Sequence, residues 1–200
     1  MHGERETRDV SDPAASPDDL HRPQPSGLDV DGRDVSAADI SRMTADFIDH
    51  YAAHIADHSR PFEGLEVALD AMAERGYRFA VCTNKLEWLS KRLLDALGLS
   101  PRFAAICGAD TFGVSKPDPA ILQQTIARAG GHISAAIMVG DAGPDIGVAR
   151  RAGVPVIGVS FGYTDVPIAE LKPDWEISHM RELPAAVAAL IRPQKSTATH

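Results

Sequence analysis

Cysteine is nearly absent from this chain: Cys82 and Cys107 are the only two in 200 residues. That is too few to staple a small secreted scaffold. Each adjoins an apolar run and reads as a buried free thiol in a reducing compartment, so the expected location is the cytoplasm. Long apolar runs are missing too. None approaches the roughly 20 residues that cross a bilayer as a helix, and no membrane partner is expected. The first residues include Glu4, Glu6 and Asp9 without an apolar core, unlike a secretion signal. Positive charge is in deficit: 20 Lys and Arg against 28 Asp and Glu leave a net charge of −8. That sign argues against a nucleic-acid partner, which needs a basic face. What remains, 44% hydrophobic and 24% charged, is the composition of an ordinary globular domain. A chain of this length buries roughly 70% of its unfolded surface.

Residues 1–34 differ from the rest. They hold nine acidic residues, four Lys or Arg and four prolines. Their only sizeable aliphatic residues after Met1 are Val10, Leu20, Leu28 and Val30. So little apolar surface cannot offset the entropy of ordering, and the segment is expected to be disordered. Ser36-Ala-Ala-Asp39 resembles a capping box with Asp in place of Glu. Ile40, Met43, Phe47, Ile48, Tyr51 and Ile55 follow at helical spacing. A second helix is expected from Gly64 to about Arg75, with Leu65, Ala68, Leu69 and Met72 inward.

Strands and helices then alternate. Strands are expected at 78–82, 103–107, 135–139, 155–159 and 175–177. Helices are expected at 86–97, 120–129, 144–152 and 183–191. The strands are apolar throughout, which indicates a parallel sheet covered on both faces. In such sheets ligands bind beyond the carboxyl ends of the strands. Thr83, Asn84 and Asp141 each fall there.

Asp141 and Asp145 flank the start of a helix, where Pro144 favours the first turn. Two carboxylates at that junction suit a hard divalent cation such as Mg²⁺; equally, they could cap the helix and complement its dipole. Thr83-Asn84 offers a hydroxyl and an amide at a helix N-terminus, a ready anion site, or a plain cap. Lys116 stands in Val-Ser-Lys-Pro-Asp-Pro, a stiff loop, where its ammonium could hold a phosphate or simply face solvent.

In order and spacing these segments resemble the second, third and fourth motifs of the haloacid dehalogenase superfamily. The likeness is closer still to its phosphoglycolate phosphatase family. The stretches that carry it are Tyr77–Lys85, Phe103–Phe112, Ser115–Pro119, Met138–Asp141 and Phe161–Thr164. The resemblance implies an α/β, HAD-like (Rossmann-like) parallel sheet with helices on both faces, plus a remnant of a helical cap. It implies a Mg²⁺-dependent phosphoric monoester hydrolase acting through an aspartyl-phosphate on 2-phosphoglycolate, a small phosphorylated acid. Asp141 would bind the metal and Asp145 support its shell. Thr83 and Lys116 would be the catalytic residues that bind the phosphoryl oxygens, with Asn84 supporting the phosphate loop. The family's first motif, Asp-x-Asp-Gly-Thr after an apolar strand, supplies the nucleophile. Here Asp29-Val30-Asp31-Gly32 is followed by Arg33 and preceded by Arg22-Pro-Gln-Pro-Ser-Gly27, and reads as a turn or loop.

The expected organisation is therefore a disordered or aberrant segment 1–34, a cap remnant 35–60, a hydrolase core 61–192 and a tail 193–200. Without the first strand, the strands ending at Cys82 and Val139 should keep exposed edges or be filled by another segment. The alternative function is an inactive phosphate- and Mg²⁺-binding module, or a partner of a full-length relative. The sequence leaves a homodimer open.

Overall fold

The computed structural model describes residues 36–191; the readings of residues 1–34 and of the tail lie outside these. Contacts divide the chain between Thr44 and Ala45, and the layers described below belong to the unit that begins at Ala45.

Helix α1 spans Ala37–Ala53. Its start carries the N-cap half of the expected capping box: the Asp39 amide donates to Ser36 Oγ at 3.1 Å, and the Ser36 hydroxyl donates to Asp39 Oδ2 at 2.6 Å. Ile55 lies beyond the helix in a turn, yet is buried with Ala52 against Leu89. Helix α2, Leu65–Ala73, buries Ala68, Leu69 and Met72, three of the four positions expected from the spacing.

The alternating elements follow as β1 (Phe79–Cys82), α3 (Glu87–Ala96), β2 (Phe103–Cys107), α4 (Pro119–Arg128), β3 (Met138–Gly140), α5 (Gly143–Ala152), β4 (Val156–Val159), β5 (Trp175–Ile177) and α6 (Leu183–Leu190). The strand expected at 135–139 is displaced to Met138–Gly140. Residues Ile133–Ala135 form a 3-10 turn instead, in which the His132 ring and carbonyl accept from Ser134 and Ala135. That turn consumes the amides a longer strand would have needed.

Every strand pair is parallel, but the pairs form two sheets: β1 with β2, and β4 between β3 and β5. Strand alternation sends side chains to two apolar layers. Val139, Ile157, Val159 and Phe79 pack with α2 and α6. Met138, Val156 and Cys82 pack with α4 and α5. Among the described residues no strand pairs with β1 or β3 on the side facing the other. The consequence shows in burial: β4 is buried at all four residues, whereas in the equally apolar β1 none is fully buried and Ala80 is exposed. Among the described residues, then, the strands ending at Cys82 and Val139 each keep one edge without a strand partner.

Ile157 is fully buried at the centre of β4. Ile157→Ala is expected to cost about 2–5 kcal/mol, read as a lowered urea midpoint.

Candidate active site

The carboxyl ends of β1, β3 and β4 and the loop before α4 meet at one place, and hydrogen bonds join them in sequence. The Thr83 amide donates to Cys107 O at 3.0 Å, fixing the first residue after β1 against β2. Its hydroxyl oxygen accepts from the Lys85 amide at 3.1 Å. This local bond, of the kind Ser and Thr favour at turns, leaves the hydroxyl hydrogen free to donate.

Asn84 spans to the next loop. Its side-chain NH₂ donates to Lys116 O at 3.1 Å, and its carbonyl accepts from Lys116 N–H at 2.7 Å. Both ends of the amide bond the backbone of Lys116, so Asn84 holds that loop in place. Arg151 steadies the same loop by donating to Pro117 O at 3.0 Å. Asp118 caps α4 through the Ala120 amide at 2.8 Å.

Lys116 then reaches the helix after β3. Its Nζ lies 2.6 Å from Asp145 Oδ1, with the two side chains only 11% and 8% exposed. The other carboxylate oxygen of Asp145 accepts from the amides of Asp141 and Ala142, each at 3.2 Å. Asp145 therefore has both oxygens engaged, and the surface-lysine reading of Lys116 is excluded. Gly140 makes this packing possible: a Cβ there would stand 2.4 Å from Asp145 Cβ.

Asp141 follows β3 directly. Its Oδ2 accepts from the Tyr163 amide at 2.8 Å, in the loop after β4. Gly162 lies so close that a Cβ would come within 2.3 Å of that oxygen. Burial raises the Asp141 carboxyl above its ordinary 3.8, and the Asp145 charge adds to the rise; the Tyr163 amide and Lys116 oppose it. A carboxylate held against its preference in this way, with a second oxygen not hydrogen-bonded, suits a hard cation that would favour its charged form. Among the described residues no cluster of three or more metal-ligating side chains exists. Among them Asp141 is the carboxylate that would hold a cation, and phosphate oxygens and water are ligands Mg²⁺ commonly adds.

The structure brings Asn84, Lys116, Asp141 and Asp145 into one hydrogen-bonded chain, with Thr83 at its head beside Asn84. Cys82, adjacent in sequence, is no rival nucleophile, because burial pushes its thiol up and only the thiolate attacks. The role of the Gly162–Tyr163 loop was missed in the sequence. The rule that selected Thr83 and Asp141, position just after an apolar strand, applies equally to Phe161–Thr164 after β4. Lys85 was missed as well: its ammonium meets the Tyr51 hydroxyl at 2.8 Å and lies 5.2 Å from the Tyr51 ring centre, tying the end of α1 to the turn after β1.

A parallel α/β sheet with a lysine, a threonine hydroxyl and a carboxylate at its carboxyl edge defines the class. The family model for haloacid dehalogenase-like hydrolases matches residues 29–159, and the chain belongs to that family. The phosphoglycolate phosphatase of Mesorhizobium japonicum is 45% identical over 156 residues, covering 78% of this chain and 69% of that protein. The phosphoglycolate phosphatase of Agrobacterium fabrum is 49% identical over 150 residues, covering 75% and 64%. A predicted phosphoglycolate phosphatase from Haemophilus somnus, solved at 1.90 Å, superposes with a TM-score of 0.73 at 27% identity, over 77% of this chain and 69% of that one. Within the hydrolases, then, the chain falls in the phosphoglycolate phosphatase family. It spans about two thirds of the length of these curated relatives.

Two outcomes follow from the geometry. Asp145→Ala leaves the Lys116 ammonium buried and unpaired, at a cost of about 3–5 kcal/mol, measured by urea denaturation. The Asp141 carboxyl is raised on folding, so folding takes up protons and stability is lost as pH rises from 3.8 through the folded value. Asp141→Asn should therefore be more stable than the parent at pH 7 in chelator, with the gap closing as pH falls toward 4.

Proposed function

We propose that this chain acts on phosphate monoesters as a phosphoglycolate phosphatase-type hydrolase, with 2-phosphoglycolate as substrate and Mg²⁺ as cofactor. The observation that carries the reading is the joined site at the strand ends: Asn84, next to Thr83, grips the Lys116 loop, the Lys116 ammonium pairs with Asp145, and Asp145 takes the Asp141 amide. Phosphoryl transfer asks the protein mainly for positioning and charge stabilisation, and these groups supply both. Thr83 donates to a phosphoryl oxygen and Lys116 neutralises its charge. Asp141 would hold Mg²⁺, which when bound neutralises the phosphate and orients it. Asp145 orients Lys116 and the amides of residues 141 and 142, and Asn84 sets the Lys116 loop. The resemblance assigns the nucleophile to a first-motif Asp. The family match begins at residue 29, so Asp29 is the position to test. The free thiols Cys82 and Cys107 suit the cytoplasm.

One observation favours the second reading, a phosphate- and Mg²⁺-binding module without turnover. Among the described residues at the site, the carboxylate beside Asp141 is Asp145, and its oxygens are both engaged. Asp145 is thus committed to holding the site, and Asp141 is the carboxylate left for the cation.

Phosphate release from 2-phosphoglycolate by the pure 200-residue chain decides between them. Mg²⁺-dependent turnover that falls by about 100-fold or more in Asp141→Ala and in Lys116→Met, with circular dichroism unchanged, supports the hydrolase. Loss of turnover in Asp29→Asn would give that residue the nucleophile's role. Phosphate and Mg²⁺ binding by calorimetry, with no turnover under any condition, supports the binding module.

A further inference from the structure

The phosphate end of the ligand meets Thr83 and Lys116, and the cation meets Asp141. The carboxylate end, which sets 2-phosphoglycolate apart from neutral monoesters, needs a partner of its own. Lys85 stands two residues beyond Thr83 at the same carboxyl edge. Its backbone is pinned on both sides. The amide donates to Thr83 Oγ1 at 3.1 Å, and the carbonyl accepts from the Ala109 amide at 3.2 Å. Gly108 permits that approach, since a Cβ there would stand 2.4 Å from Lys85 O.

The side chain is pinned as well, and by neutral groups. Its Nζ donates to the Tyr51 hydroxyl at 2.8 Å and lies 5.2 Å from the ring centre, within cation–π range. Tyr51 is held in turn: its ring stacks on Phe47 at 6.2 Å, and the nearby Ala52 and Ile55 are buried against Leu89 of α3. Both Lys85 and Tyr51 are half-buried. Among the described residues no carboxylate pairs with Lys85, whereas Lys91, Lys116 and Arg128 each pair with one. An ammonium has donors and no acceptor. The Tyr51 oxygen therefore accepts from it, and the phenolic hydrogen is left to donate elsewhere. Ammonium and phenol together present a positive charge and two adjacent donors, the complement of a carboxylate. A cation partly withdrawn from water gains most from a partner of opposite sign.

We propose that Lys85 and the Tyr51 hydroxyl form the subsite for the carboxylate of a short phosphorylated acid whose phosphate lies at Thr83. They set the preference for an acid over a neutral monoester. The inference rests on the phosphatase reading of the Thr83–Lys116 site. Lys85 binds the carboxylate directly; Tyr51 adds one hydrogen bond and fixes the ammonium.

The test compares 2-phosphoglycolate with 2-hydroxyethyl phosphate, which carries an alcohol in place of the carboxylate. The ratio is read as kcat/KM in Mg²⁺ where the 200-residue chain turns them over, and as Kd by calorimetry where it does not. The acid should be favoured about 10–100-fold. Lys85→Met should bring the ratio near one, Lys85→Arg should keep most of it, and Tyr51→Phe should lower it about three- to tenfold. A general weakening of the fold does not move a ratio. A ratio near one in the parent overturns the proposal and leaves the phosphatase reading standing. An unchanged ratio in Lys85→Met, with or without a loss of affinity for both compounds, also overturns it. Where Lys85→Met does not fold, an unchanged ratio in Tyr51→Phe does the same. A parent that neither binds nor hydrolyses either compound removes the phosphatase reading and this inference with it.

Discussion

Lys116 and Asp145 place opposite charges 2.6 Å apart where little water reaches either side chain. Neither residue would be tolerated there alone, because an unpaired buried charge loses its hydration without recompense. Together they fasten the loop before α4 to the first turn of α5. Everything else at the site attaches to one end or the other. Asn84 grips the backbone of Lys116 and brings the turn after β1 with it. Asp145 takes the amides of Asp141 and Ala142 and fixes the turn after β3. Asp141 extends the chain to the loop after β4 through Tyr163.

This arrangement separates residues that hold the site from residues that face outward. Asp145 and Asn84 spend their polar atoms on the protein. Thr83 keeps a hydroxyl hydrogen and Asp141 keeps one oxygen. Lys116 sits between the two groups, paired with Asp145 yet carrying three donors. Close backbone approach is part of the same design: Gly140 and Gly162 occur where a Cβ would displace the carboxylates of Asp145 and Asp141.

The sheet shows what an absent pairing does. The four apolar residues of β1 are no less suited to burial than those of β4, yet only β4 is enclosed. The difference lies in neighbours: among the described residues β4 has a strand on each side and β1 has one. Helices cover both faces of the strands: α2 and α6 on one side, α4 and α5 on the other.

Much of this was legible in the residues themselves. Apolar periodicity with glycine, proline and capping residues located the five strands and six helices of the described residues, and position after a strand selected Thr83, Asn84 and Asp141. The exceptions have local causes. The start of β3 was misplaced because a 3-10 turn capped by His132 competes for the same amides. Ile55 was assigned to a helix that ends before it, since burial keeps its periodicity after the helical bonds stop. The sequence by itself determined the order of elements, the parallel arrangement and the residue types at the strand ends, because these follow from short-range periodicity and chain direction. Only the tertiary structure decided that Lys116 is buried against Asp145, that Asn84 supports the loop, and that Tyr163 and Gly162 complete the Asp141 environment. Those facts depend on segments tens of residues apart being packed together, and no local pattern records which groups will meet.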